Sequence, residues 1–282
     1  NRGWFRRRVG SAWFAMIPAM IVYPDIDPVI FSIGDIKIRW YGLMYVAGFL
    51  VAWWLARKRT QAAHSPIKTV EQADDLIFYA MLGVILGGRL GHALFYSKTS
   101  FFDDPLYFFR IWEGGMAFHG GLIGVMFAMW LFGRKLNLRM WQVTDFMGPF
   151  VPLGLGFGRI GNFINGELWG KPTDVAWGVL YKGQVLHPSQ LYESILEGFV
   201  LFAILWWFSS KPRPYMAVSG LFLLLYGTFR FLIEFVRVPD DHLGYLFADW
   251  VTMGQILSAP MVIAGAVMLF MAYTRKTKEA TA

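Results

Sequence analysis

The stretch FGRIGNFINGELWG, residues 157–170, places one arginine, two asparagines, one glutamate and four glycines directly after an apolar run. Arginine presents a planar fork of N–H donors that matches a phosphate. Asn162 and Asn165 can both donate to and accept from hydroxyls or exposed backbone. Six glycines, at 154, 156, 158, 161, 166 and 170, let the backbone bend and approach a ligand or another chain. Polar groups of this kind are costly in lipid unless they are paired. The chemistry they suit is capture of an anionic lipid headgroup at the edge of a bilayer. Arg159 and Arg230 would neutralise its phosphate, and its acyl chains would stay in the membrane.

The remaining ionisable residues each carry an ordinary reading beside a functional one. Charges inside a membrane span are expensive, so such a residue is a functional candidate by default. Arg89 either serves the site or snorkels to a headgroup and anchors its span. Arg230 and Glu234 stand four residues apart and can form a helical ion pair. His119, in FHGGLIG, is either a proton carrier or an interfacial histidine. His187, in HPSQLYE, is an accessory site residue or caps the following helix, with Ser189 as candidate N-cap. The glycines of GVILGGRLG read as helix-packing surface; no strand precedes them, as a phosphate loop would require.

The elements that must position these residues are membrane helices. Of 282 residues, 56% are hydrophobic and only 16% charged, against about a quarter charged in soluble domains. Mean hydropathy is +0.44. The pattern is that of an all-α integral membrane protein with a small loop region outside the bilayer. There is no cysteine, which excludes disulfides, thiolate metal sites and a cysteine nucleophile. The net charge of +7 sits largely in short basic clusters beside apolar runs. That placement suits anionic lipid, and no nucleic-acid partner is expected.

Seven transmembrane helices are predicted, at 40–56, 76–96, 118–134, 143–160, 190–208, 216–236 and 252–273. Pro149, Pro152 and glycines break the fourth, whose polarity suits a span lined by protein or water. The loops after odd-numbered spans hold Arg57, Lys58, Arg59, Lys68, Arg134, Lys135, Arg139, Lys211, Arg213, Arg275, Lys276 and Lys278. The other side holds fewer: Lys37, Arg39, Lys98, Arg110, Lys171, Lys182 and Arg237. Basic residues stay inside, so the C-terminus is in and the N-terminus out. On this topology Tyr41, Arg89, His119, Arg159, Asn162, Asn165, Glu167, His187, Arg230 and Glu234 all fall near the outer interface. Residues 1–19, basic and then apolar, are expected to be an N-terminal extension with Met20 as a natural start. A cleaved signal and a short interfacial helix are the alternatives. Residues 20–282 then form a single seven-helix membrane domain.

Five blocks in order, WYGLMY (40–45), HGGLIG (119–124), GRIGNFINGELWG (158–170), HPSQLYE (187–193) and YGTFRFLIEFVR (226–237), resemble the signature blocks of the bacterial prolipoprotein diacylglyceryl transferase family. The resemblance covers about residues 22 to 275. It implies a multi-pass enzyme of the bacterial inner membrane with its site facing the periplasm. It further implies transfer of the diacylglyceryl group of phosphatidylglycerol to the lipobox cysteine of a prolipoprotein signal peptide, with glycerol-1-phosphate released. It marks Tyr41, His119, Arg159, Asn162, Glu167, Gly170, Tyr226, Arg230 and Glu234 as important positions.

Such a reaction is displacement at carbon by sulfur, with the nucleophile supplied by the substrate. On this reading Arg230 and Arg159 stabilise the departing phosphate, and Glu234 or Glu167 holds an arginine in place. His119 is the candidate base for the thiol. Asn162, Glu167, Tyr41, Tyr226 and Gly170 serve lipid binding, together with Arg159 and Arg230. No cofactor and no metal are required, and a monomer is expected. A serine-type intramembrane protease is disfavoured because no G-x-S-x-G is present. A transporter would carry polar groups in both membrane halves. A non-catalytic phosphatidylglycerol-binding protein would bind lipid without releasing glycerol phosphate.

Overall fold

The computed structural model describes residues 21–34, 36–95, 115–239, 244–248 and 250–281. Residues 1–19, read above as an extension, lie outside that set, as do Lys98 and Arg110. The order of elements is β1 (Ile21–Val22), β2 (Val29–Ile33), β3 (Ile36–Arg39), α1 (Trp40–Arg59), α2 (Val70–Phe95), α3 (Phe118–Lys135), α4 (Met140–Met147), α5 (Val151–Ile164), β4 (Val179–Tyr181), β5 (Gln184–Leu186), α6 (Ser189–Phe208), α7 (Ala217–Ile233) and α8 (Met253–Thr281).

Three of these, α2, α6 and α8 as far as Thr274, are long and apolar enough to cross a membrane, and α7 is a shorter apolar helix. Helix α1 matches them in length but holds three tryptophans and two tyrosines, residues that favour the membrane–water interface over the hydrocarbon core. Large apolar side chains cover the outside of the bundle: Ile123 is 70% exposed and Phe270 71%. A surface of that kind has lipid or protein as its natural neighbour.

Arg57, Lys58 and Arg59 close α1, and Arg134 and Lys135 close α3, where cations oppose the partial negative charge of the C-terminus. The break foreseen in the fourth span falls between Met147 and Val151. Pro149 lacks a backbone donor there, and Pro152 sits in the first turn of α5, where proline is tolerated.

Helices α2 and α3 meet along a glycine seam. A Cβ added at Gly87 would lie 2.3 Å from the Gly120 carbonyl oxygen, so the backbones touch as small-residue membrane interfaces allow. The glycines of GVILGGRLG are therefore packing surface, as expected. A buried apolar cluster including Ala56, Leu76, Phe132, Val143 and Phe146 joins the C-terminal ends of α1 and α3 to α4 and the start of α2.

Short strands cap the opposite end, which the helical reading did not foresee. β2 and β3 form an antiparallel hairpin, and β4 pairs with β5 antiparallel and with β1 in parallel. Isolated bridges join Gly170 to Arg237 and Pro172 to Leu186. Alternating apolar residues around Gly34 in VIFSIGDIKIR carry a hairpin signal that could have been read from the sequence.

Candidate active site

The polar cluster is assembled by three helices and the strand-bearing loop. Arg159 lies on α5, Glu193 and Glu197 on α6, Arg230 near the end of α7, and Glu234 and Arg237 just beyond it. Nε of Arg159 is 2.6 Å from Oε2 of Glu193, and Nη1 of Arg230 is 2.7 Å from Oε1 of the same carboxylate. Arg237 Nη1 also pairs with Oε1 of Glu193. Arg230 reaches Oε1 of Glu234 through Nη2 at 2.6 Å and lies 3.8 Å from Glu197. Arg237 Nε completes the set, 3.2 Å from Glu234. Oε2 of Glu234 accepts from Thr252 Oγ1 at 2.7 Å.

Charges thus balance one to one, three arginines against three glutamates, with Glu193 fully buried. Burying either sign alone would cost several kcal/mol per ion. The sequence reading passes over Glu193, Glu197 and Arg237. The signal was available: two carboxylates inside the apolar run 190–208 meet the same rule that singled out Arg89 and Arg230. A π-helical segment, Ser194–Val200, follows Glu193 and contains Glu197, a feature frequent at functional sites.

The Arg230–Glu234 pair expected from their spacing forms, but it is only part of the role of Arg230, which is shared with Glu193. Of the two carboxylates expected to hold an arginine, Glu234 does so, while Glu167 accepts from Asn165 Nδ2 at 3.0 Å and, weakly, from Asn162 Nδ2 at 3.4 Å. It sits past the end of α5 on the exposed turn, and Asn162 stands between it and Arg159. Asn162 is buried, with Oδ1 3.5 Å from Arg159 Nη1. Gln190 Nε2 donates to the Glu167 carbonyl. Beside these bonds, Asn165 Oδ1 and Gln190 Oε1 are buried acceptors without a hydrogen-bond partner among the described residues.

Tyr41 packs its ring over Gly161, two residues from Arg159, and its hydroxyl is 3.1 Å from that of Tyr45. Tyr226 stacks on Phe222 and feels the charges of Glu197, Arg230 and Arg159. Gly170 is a spacer. A Cβ there would lie 2.6 Å from the Val236 carbonyl oxygen and 2.8 Å from His187 Cβ. Its amide donates to the His187 carbonyl at 2.9 Å. Only a glycine lets the segments carrying Glu167, His187 and Arg237 close on one another.

Three ordinary readings are revised. Arg89 is 2% exposed, and its Nη1 donates to the Gly115 carbonyl at 3.0 Å; the chain before α3 folds over it, so it cannot snorkel to lipid. Ser189 does not cap α6: Pro188 holds the N-cap position, and Ser189 Oγ donates to the Leu168 carbonyl at 2.8 Å. His187 is not a cap either. Its Nδ1 is 3.1 Å from the Tyr192 hydroxyl, which in turn accepts from Trp177 Nε1 at 2.8 Å. Burial pushes the His187 imidazole below its ordinary pKa, with nearby Lys171 adding to the effect and Asp174 opposing it. His119 opens α3 as an exposed imidazole, its ring edge-on to Phe118. Among the described residues no hydrogen bond or ion pair joins it to the arginine–glutamate cluster.

An apolar helical bundle with a charge-balanced arginine–glutamate cluster at one end defines the class: a helical membrane protein with a buried polar site. The family model for prolipoprotein diacylglyceryl transferase matches residues 28–271. A phosphatidylglycerol–prolipoprotein diacylglyceryl transferase of Methylococcus capsulatus is 58% identical over 261 residues, 92% of this chain and 100% of the relative. Proteins of the same name from Oleidesulfovibrio alaskensis and Pseudomonas fluorescens are each 56% identical, covering 93% and 91% of this chain and 98% and 97% of the relatives. The chain belongs to the prolipoprotein diacylglyceryl transferase family.

Proposed function

We propose that this chain transfers the diacylglyceryl group of phosphatidylglycerol to the lipobox cysteine thiol of a prolipoprotein, releasing glycerol-1-phosphate. The observation that carries this reading is the convergence of Arg159 and Arg230 on one carboxylate, within a chain whose relatives carry that activity in their names. Two guanidinium groups at one point suit the phosphate that leaves. Arg159 is the more available, because Glu193 engages only its Nε and an arginine has five N–H donors. Arg230 is held at both nitrogens by glutamates and fixes the floor of the site. The unpartnered Asn165 and Gln190 oxygens suit the hydroxyls of a glycerol headgroup.

In the proposed step a sulfur–carbon bond forms as the carbon–oxygen bond to phosphate breaks. The electron pair stays on the phosphate oxygen, where the arginines stabilise it. The chain has no cysteine of its own, consistent with a nucleophile that arrives on the substrate. His119, exposed at the same end of the bundle as Arg159, takes the thiol proton. Asn162, Glu167, Tyr41 and Tyr226 orient the lipid, and Gly170 shapes the loop around it.

The topology proposed is seven spans, α4 and α5 together forming the fourth, within one membrane domain from residue 20 onward. The N-terminus is out and the C-terminus in, at the bacterial inner membrane with the cluster facing the periplasm. The lysine and arginine bias of the loops supports it. The test is transfer of labelled glycerolipid to a lipobox peptide by purified enzyme. Arg230→Ala should abolish transfer while the protein still inserts in the membrane. Near-normal turnover in that variant would remove the leaving-group role.

A further inference from the structure

Helix α1 runs 20 residues from Trp40 to Arg59, about 30 Å at 1.5 Å per residue. Tyr41 at its start packs beside Arg159, so Arg59 at its end lies far from the catalytic cluster. Helices α6 and α7 connect the same two ends, α6 ending at Phe208 and α7 beginning at Ala217. At this far end is a cavity of about 270 Å³ lined by Arg59, His64, Asp145, Lys211, Arg213 and Tyr215, among others.

Cations outnumber anions there. Oδ1 of Asp145 is taken by Ser219, whose amide donates at 2.8 Å and whose hydroxyl donates at 2.6 Å. Arg59 spends only Nη2, on the carbonyl of Ser209 at 2.5 Å and on its hydroxyl. Arg213 spends Nε on the Phe208 carbonyl at 2.6 Å. Each guanidinium is also stacked, Arg59 over Trp206 at 4.7 Å and Arg213 over Phe208 at 4.1 Å. Stacking and one anchoring bond fix the planes and leave other N–H donors for a ligand. Lys211 lines the cavity and makes no hydrogen bond or ion pair among the described residues. Capping of the α6 carbonyls accounts for one bond per arginine. It does not account for Lys211, or for a cavity of this size bounded by a positive surplus.

We infer that this cavity is a second, non-catalytic site for a phosphate-bearing anion: the headgroup of an acidic phospholipid, or a soluble phosphate reaching the same face. The headgroup is the better fit, because basic pockets between membrane helices at a bilayer face select acidic lipids, Phe146 and Val218 give the cavity apolar wall, and a smaller adjoining pocket that shares Arg59 and His64 is lined by Trp206.

The full chain in nanodiscs tests it. Wild type, K211Q/R213Q and Arg159→Gln are compared in phosphatidylcholine discs, in discs with cardiolipin or phosphatidylglycerol, and in phosphatidylcholine discs titrated with inorganic phosphate. Thermal midpoint and lipid retained in native mass spectrometry are read. Wild type and Arg159→Gln should bind acidic lipid at this site alike. K211Q/R213Q should bind it about thirtyfold more weakly, for two basic side chains at a membrane surface. Stabilisation by acidic lipid but not by inorganic phosphate assigns the headgroup; stabilisation by phosphate alone assigns the soluble anion. If K211Q/R213Q fails to fold, Lys211→Glu alone serves, since Lys211 has no partner to lose. Equal response of wild type and variant in every disc would overturn the site. Because phosphatidylglycerol also enters the catalytic site, independence is read with cardiolipin: loss of the cardiolipin response in Arg159→Gln would overturn it.

Discussion

Arg159 and Arg230 grip opposite oxygens of one buried carboxylate, Glu193, at 2.6 and 2.7 Å. Neither arginine meets the other directly, and the carboxylate keeps two like charges at close quarters. On the proposed function, the phosphate would meet guanidinium groups already fixed in place by that carboxylate, which is electrostatic preorganisation in structural terms.

Arg159→Ala is expected to reduce transfer on the order of 100- to 1,000-fold, as loss of a preorganised donor does elsewhere. Arg159→Lys should recover part of it, because a point charge remains while the fork is lost. Release of glycerol phosphate from phosphatidylglycerol in the presence of a lipobox peptide measures both. Equal activity of the Ala and Lys variants would deny Arg159 a charge-based role.

Glu193→Ala should lower stability by about 3–5 kcal/mol, the cost of stranding buried charges. The thermal midpoint in detergent reads this, and combining the change with Arg237→Gln should cost less than the two separate losses added together. Simple additivity would show that the carboxylate is not the hub of the cluster.

Gly170→Ala forces a methyl group to within 2.6 Å of the Val236 carbonyl. The strand bridge to Arg237 must open, at about 1–3 kcal/mol, and activity should fall together with stability. A fully active, fully stable variant would mean the loop has room that the geometry denies.

His187 is buried enough that its protonation is disfavoured. Its folded pKa lies below that of the unfolded chain, so unfolding takes up a proton once pH falls through the ordinary histidine value of about 6.5. Stability should therefore decline from pH 7 to pH 5, and His187→Asn should flatten that decline. A decline of equal slope in the variant would assign it to other groups.

His119→Gln should cost activity on the order of 100-fold or more near neutrality and less as pH rises toward the thiol value of about 8.5, where the substrate ionises unaided. A loss independent of pH would return His119 to a role in packing or binding.

Much of this was legible in the sequence, and the gaps have physical causes. Residues that break an apolar pattern, such as Arg159 and Arg230, announce themselves, and the structure brings these two together on one carboxylate. Pro149 and Pro152 located the break in the fourth span because proline removes donors wherever it stands. Glu193 escaped because HPSQLYE reads as a loop running into a helix, and helical spacing alone does not tell which neighbour a face will meet. Arg89 misled for a related reason: only the tertiary fold puts Gly115 over its guanidinium. The strands at 179–181 and 184–186 are too short for periodicity to register.

The ion cluster also imposes an order on biosynthesis. Glu193 and Glu197 leave the ribosome after Arg159 but before Arg230 and Arg237. A nascent chain ending near Phe208 holds two carboxylates against one guanidinium, and an unmatched charge is expensive in hydrocarbon. Helix α7, which brings Arg230, must therefore arrive before the carboxylates of α6 are matched, and until then α6 is best kept beside the insertion machinery.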